Sequence, residues 1–320
     1  MRANRYFQRH PLLVAFLLGA VIFAIGALTI QGFTRLFALR SMLVLAAFLG
    51  VAAVGQTLVV LLGGIDLSIP FVMGFGNVVA AKLTGDGLPF WLTVLVVVAL
   101  ALVIGAFSGG ISSRLKLPAL IVTLGVGFAV QGAVLLWTKG LPTGSAPKFV
   151  PKFVSIGATL GPFPFPGLVL FWLVLALVIT LVLTNTVFGR RLYALGANPV
   201  AAELALVRPV RMWMAAYALS AAFAALCGIL LLGFTGSAMA AVGDPYLFLT
   251  IGAVVIGGTA MVGGRGSYLG TVIGAIVLIE LTTVLRGLGL PDQLVPAALG
   301  LLIILLVSVY GREPDIRNLI

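Results

Sequence analysis

The sequence predicts an all-α integral membrane protein, a polytopic bundle of about ten transmembrane helices with both termini cytoplasmic. Three observations carry that expectation. Of 320 residues, 62% are hydrophobic and only 8% are charged, against the roughly 25% charged residues that clothe a soluble domain. Mean hydropathy is +1.25. The apolar residues fall in continuous runs of about 17–25, the length that crosses a hydrocarbon core of ~30 Å. A transmembrane β-barrel would need short alternating segments instead.

Taken in order, the predicted spans cover about 11–30, 43–62, 69–84, 90–111, 118–138, 167–184, 212–233, 247–262, 267–285 and 293–310. The first follows a basic start, "MRANRYFQRHPLL", and superficially looks like a secretory signal. Its apolar stretch lacks a clear small-residue cleavage site, so it reads as a span. The third and eighth are short. No loop is long enough to build a soluble domain, so 1–320 reads as one transmembrane domain. The single cysteine, Cys227, lies in the apolar run 212–233 and reads as a small helix-packing residue. It excludes an intrachain disulfide.

The net charge of +11 fits basic cytoplasmic loops better than nucleic-acid binding. With the N-terminus inside, the inner segments hold twelve cations: Arg2, Arg5, Arg9, Arg114, Lys116, Arg190, Arg191, Arg208, Arg211, Arg265, Arg312 and Arg317. The outer ones hold seven: Arg35, Arg40, Lys82, Lys139, Lys148, Lys152 and Arg286. The bias favours both termini inside. The largest outer loop, 139–166, contains six prolines, which forbid a long helix and suggest a semi-rigid cap over the outer mouth.

Missing chemistry narrows the function. There is no phosphate-binding loop of the G-x-x-x-x-G-K-[S/T] type, no H-E-x-x-H and no G-x-S-x-G, and the only histidine is His10 in the tail. Of eight acidic residues, only Glu280 falls clearly within a span. An ion-driven carrier usually places more than one ionisable group along its path. The chain reads as a pathway without its own engine, and no cofactor or metal is expected on it.

Two glycine-rich breaks interrupt the apolar runs. In "LLGGIDLSIP", 61–70, the Gly63-Gly64 pair ends a helix, Asp66 or Ser68 can cap the next, and Pro70 suits a first turn. That segment fits a tight hairpin capped by Asp66, with a broken-helix lining of a pathway as the functional alternative. The second break is "VVIGGTAMVGGRGSYLG", 254–270, whose glycines allow a sharp turn and close helix approach. Within the spans Gln56, Asn77, Gln131 and Glu280 could meet a polar solute, with Asp66 at the inner break. Interhelical hydrogen bonding explains the amides as well.

The interruption at about 185–211 has its own grammar. Asn198 is a good N-cap and Pro199 suits the first helical position. The following "VAAELALV" makes about two turns, with Arg208 at the C-terminal end and Pro209 as the stop. A short helix of alanine and leucine flanked by Arg190, Arg191, Arg208 and Arg211 needs something to cover it. A protein docked from the cytoplasm is one answer; an amphipathic helix lying on lipid is the other.

Four stretches together carry a resemblance: "GGIDLS" at 63–68, "LPALIVTLG" at 117–125, "FGRRLYALGANPVAAELALV" at 188–207 and "VVIGGTAMVGGRGSYLGTVIGA" at 254–275. In this order and spacing, nearly end to end, the chain resembles permease subunits of bacterial ABC importers of the ribose/xylose/galactoside class. These are related more distantly to branched-chain amino acid permeases. The resemblance implies a multi-pass protein of the bacterial inner membrane that imports a small polar solute, a sugar first. It also implies a second permease, identical or homologous, a cytoplasmic ATPase that binds ATP and magnesium, and a periplasmic or lipid-anchored solute-binding protein. The segment matching 188–207 is the coupling element in this family. That places Gly189, Arg190, Ala194, Gly196, Asn198, Pro199 and Ala202, with neighbouring Arg191 and Glu203, at the ATPase contact.

One departure bears on the solute. Sugar permeases of the family often carry Glu-Leu-Asp-Ala-Ile-Ala before the "AVVIGGT" run, where this chain has "LFLTIG" at 247–252. Nucleosides and polyols are therefore alternatives to a sugar. A self-sufficient channel or facilitator is the alternative of another class, and a membrane enzyme lacks a recognisable catalytic set.

Overall fold

The computed structural model of the chain describes residues 11–159, 161 and 164–310. All regular elements among the described residues are helices: α1 (Pro11–Thr29), α2 (Leu36–Leu61), α3 (Ile69–Gly85), α4 (Phe90–Arg114), α5 (Ala119–Trp137), α6 (Phe149–Val154), α7 (Gly167–Asn185), α8 (Val187–Ala197), α9 (Pro199–Leu204), α10 (Pro209–Thr235), α11 (Tyr246–Ile256), α12 (Tyr268–Gly287) and α13 (Val295–Tyr310). Seven of them, α1, α2, α4, α5, α7, α10 and α12, are long and apolar enough to cross a membrane. The chain is a multi-pass integral membrane protein. The tail cations Arg2, Arg5, Arg9, Arg312 and Arg317, and His10, Glu313 and Asp315, lie outside the described residues.

Helices occupy every predicted span, with two informative differences. The second span begins at Leu36 rather than near 43, taking Arg40 into the helix. The eighth ends at Ile256 instead of 262, because Gly257 caps it and Gly258 turns with φ +79°. At 1.5 Å per residue its eleven residues reach about 16 Å, roughly half of the hydrocarbon depth.

Burial sorts the helices. Of the apolar windows, 89% of α2 and 72% of α10 is buried inside the chain, against 22% for α4 and α5 and 17% for α1. Lipid offers helices no hydrophobic reason to associate, so close contact rests on small residues. A side chain on Gly55 would overlap Ser220 of α10, and one on Gly228 would overlap the Met73 carbonyl of α3. Cys227 is fully buried and its thiol donates to the Phe48 carbonyl at 3.3 Å, the packing role expected of it.

Contacts also pair the loops by end. At one end Leu61, Gly196 and Gly264 meet, and Leu12 approaches Gly270. At the other, the Ala238 amide donates to the Gly144 carbonyl at 3.2 Å, and Ile30 packs on Gly287. Among its described residues the proline-rich loop 139–166 holds a single short helix, α6, whose Val150 and Val154 are buried.

Candidate functional site

The loop between α7 and α10 folds into two helices rather than one. Thr186 is extended at φ −100°, ψ 164°, and its hydroxyl accepts the Gly189 amide at 3.3 Å, capping α8. The chain doubles back so tightly that a side chain on Gly189 would overlap the Leu183 carbonyl. α8 is amphipathic: Leu192 and Leu195 are buried, whereas Arg190, Arg191 and Ala194 are exposed. This helix precedes the one that the Asn198-Pro199 step predicts. Its signal was the spacing of Phe188, Leu192 and Leu195 opposite the arginines, a helical period.

The Asn198-Pro199 step does what its residue types predict. Asn198 is extended, its side chain accepts the Ala201 amide at 3.0 Å, and Pro199 opens α9. The helix is shorter than expected, ending at Leu204. The Leu206 amide donates to the Glu203 carbonyl at 2.9 Å and the Val207 amide to the Ala202 carbonyl at 3.0 Å. That is a Schellman closure, with Leu206 at φ +63° where glycine is the usual residue. Pro209 does not stop this helix. It lies in the first turn of α10, with Arg208 as that helix's N-cap, because proline's missing N–H costs nothing at a helix start.

Three distant segments converge here. The Gly264 amide donates to the Leu61 carbonyl at 2.9 Å, and the Tyr193 hydroxyl donates to the Gly266 carbonyl at 2.8 Å. Burial pushes the Tyr193 phenol above its usual value, so it remains a donor at neutral pH. Gly196 lies between the two breaks: a Cβ there would overlap the Leu61 carbonyl and come within 2.6 Å of the Gly264 amide. The second glycine-rich break is thus bonded to α8 and to the first, and the first packs on α8 at Gly196.

Asp66 is fixed in the first break. Its Oδ1 accepts the Ser68 amide at 2.9 Å and the Ser68 hydroxyl at 2.6 Å, and its Oδ2 accepts the Ser220 hydroxyl at 2.6 Å. The expected side-chain cap on α3 is absent, since Ser68 occupies the N-cap position without bonding into the helix. Asp66 recruits its hydroxyl instead. The Leu67 amide donates to Thr123 Oγ1 at 3.0 Å, tying the break to α5.

The remaining polar candidates do not assemble into one site. Asn77 is fully buried with both amide ends used: Nδ2 donates to the Gly228 carbonyl at 3.1 Å, and Oδ1 accepts the Met239 amide at 2.8 Å. Gln56 is fully buried on α2, and neither amide atom has a partner among the described residues. Glu280 is partly buried on α12, its Oε2 without a partner and beside Gly19 of α1. Gln131 is partly buried on α5. Ser220, Tyr193 and Tyr217, which carry no signal in the sequence, meet the breaks directly, at Asp66, Gly266 and Gly64.

The exposed surface of this junction is apolar where it should be charged. Ala202 is 3% exposed and faces inward, while Val200 is 71%, Leu204 82% and Leu206 87% exposed. Glu203, Arg190, Arg191 and Arg208 surround them, all exposed.

A family model described as the permease component of the branched-chain amino acid transport system matches residues 38–309. This chain belongs to that permease family. The permease is 33% identical over 293 residues to the fructose import permease protein of Rhizobium meliloti, covering 90% of this chain and 81% of that one. It is 33% identical to the ribose import permease protein of Haemophilus influenzae, covering 81% of each. The autoinducer 2 import system permease protein of Salmonella paratyphi B is 31% identical, over 89% of this chain and 80% of that one. These relatives are transport components, not enzymes. No solved structure matches the permease.

Proposed function

We propose that the permease is the translocation subunit of an ATP-driven importer of a small polar solute, with a sugar as the first expectation. The energy comes from a separate cytoplasmic ATPase, which carries the ATP and magnesium and docks on 185–211. One observation carries this reading: α9 and the turn that closes it present Val200, Leu204 and Leu206 outward, while Ala202, Leu192 and Leu195 lock the same loop inward. An apolar knob on a rigid mount suits a protein groove, where a few buried apolar anchors supply most of the binding energy.

In this reading the bundle has ten spans, both termini face the cytoplasm of a bacterial cell, and the protein lies in the inner membrane. Arg190, Arg191, Ala194, Asn198, Pro199 and Glu203 lie on the exposed side toward the ATPase. Gly189, Gly196 and Ala202, packed inward, keep that side in register. A second permease and a solute-binding protein complete the assembly. Gln56, Asp66, Gln131 and Glu280 are the residues to test along the pathway, and Asn77 is an internal brace.

The fructose and ribose relatives support a sugar. The uncharged "LFLTIG" at the start of α11 favours keeping polyols and nucleosides in the screen. Reconstitution with the ATPase and binding protein in vesicles tests the class: ATP-dependent uptake is expected. Uptake that persists without any ATPase would identify a facilitator and overturn the proposal. Thermal-shift screening of the binding protein then selects among sugars, polyols and nucleosides.

A further inference from the structure

Beside α9 a cavity of about 320 Å³ is lined by Arg191, Leu206, Arg208, Arg211 and Met212. Three guanidinium groups from three places converge on it: the exposed side of α8, the connection after α9 and the first turn of α10. No carboxylate lines it. None of the three guanidinium groups has an ion-pair or hydrogen-bond partner among the described residues. Like charges brought together repel unless an anion joins them.

Two further features point to what that anion is. The start of α10 has no side-chain cap, so its first free amides and its positive dipole end lie beside the arginines, an arrangement that suits phosphate. Pro209–Thr235 is also long and apolar enough to cross a membrane, an arrangement that sets Arg208 and Arg211 at the boundary end of a span, where lipid headgroups lie. Leu206 and Met212 add an apolar wall.

We propose that this cavity binds the phosphate headgroup of an anionic phospholipid. A single carboxylate from a docked protein would neutralise one of three charges and leave most of the cavity unfilled. A phosphodiester offers several acceptor oxygens to the paired N–H groups of arginine, and its acyl chains continue into the bilayer beside α10. Basic pockets at the ends of spanning helices bind such headgroups in general. The inference rests on the proposed function only in placing this loop at the cytoplasmic surface next to the ATPase.

The test uses the full chain assembled with its ATPase in nanodiscs of equal parts phosphatidylcholine and phosphatidylglycerol. Native mass spectrometry counts the phosphatidylglycerol retained. Arg208→Gln with Arg211→Gln is expected to lower its affinity about fivefold per arginine removed, while Arg114→Gln with Lys116→Gln leaves it unchanged. Circular dichroism confirms the fold of each variant, and Arg191→Gln alone serves if the double variant does not insert. Unchanged retention, or equal loss in the Arg114 and Lys116 variant, overturns the proposal. Displacement by free glycerol phosphate would reassign the cavity to a soluble phosphate ester. Retention seen only when the ATPase is removed would reassign it to an acidic side chain of that partner. In the wild-type assembly, no phosphatidylglycerol retained with ATPase docking intact overturns this inference alone, and no ATPase docking with the lipid retained overturns the proposed function alone.

Discussion

The Ser220 hydroxyl donates to Asp66 at 2.6 Å across 154 positions of sequence. Ser220 belongs to α10, which begins directly after the loop that holds α8 and α9. Asp66 belongs to the break that α8 touches where Gly196 meets the Leu61 carbonyl. One carboxylate therefore links the helix that leaves the loop to the turn on which the loop rests.

Ser220→Ala removes one of the donors to this buried carboxylate. Leaving a buried acceptor short of its partner costs about 1–3 kcal/mol, more when it is charged. Thermal unfolding in detergent should show that loss, and Ser220→Thr should recover part of it. An unchanged melting temperature in the alanine variant would remove the link from the account.

Gly196 has no room for a side chain. Gly196→Ala pushes α8 off the Leu61 carbonyl and the Gly264 amide, so ATP hydrolysis should continue while solute uptake falls at least ~tenfold, the equivalent of ~1.4 kcal/mol of coupling. Gly125→Ala, on α5 with open space around it, should leave both rates unchanged. The measurement is the ratio of solute moved to ATP hydrolysed.

Gln56 and Asn77 are both buried amides with opposite bonding. Asn77→Leu strands the Gly228 carbonyl and the Met239 amide and should destabilise by about 1–3 kcal/mol. Gln56→Leu replaces two unpartnered polar atoms with an apolar group, so it should be neutral or stabilising while lowering uptake. If Gln56→Leu leaves uptake intact, Gln56 is not on the pathway.

Leu206 occupies a left-handed backbone position at φ +63°. A side chain there costs about 1–2 kcal/mol, so Leu206→Gly should raise the melting temperature even though it deletes an exposed apolar group. Weaker ATPase binding should accompany it. A lower melting temperature would mean that the Schellman closure depends on that side chain.

Much of the junction was legible in the chain, and the illegible part has physical causes. Asn198 and Pro199 act locally, through a side chain reaching three residues on and a fixed φ, so their roles follow from sequence. The helix of Val187–Ala197 was concealed because Gly189 and the arginine pair look like a turn, although the Leu192 and Leu195 spacing was present. Pro209 serves equally as an end or a beginning, and only the register of Met212 and Ala216 against the core decides. The Asp66–Ser220 and Tyr193–Gly266 bonds join residues far apart in the chain, and no local pattern announces them. The early end of α11 at Ile256 was signalled by Gly257 and Gly258, but hydropathy continued past them.

The central claim is that the outward side of α9 receives the ATPase. Val200→Asp with Leu204→Asp places charge on two residues that are 71% and 82% exposed, so the fold should be retained. Docking would bury two unpaired carboxylates, a larger cost than the loss of apolar contact alone. Co-purification of the ATPase with the membrane-inserted variant measures this directly. The ATPase should be lost at an unchanged melting temperature of the permease. An ATPase that stays bound, with ATP-driven uptake at the wild-type rate, would contradict it.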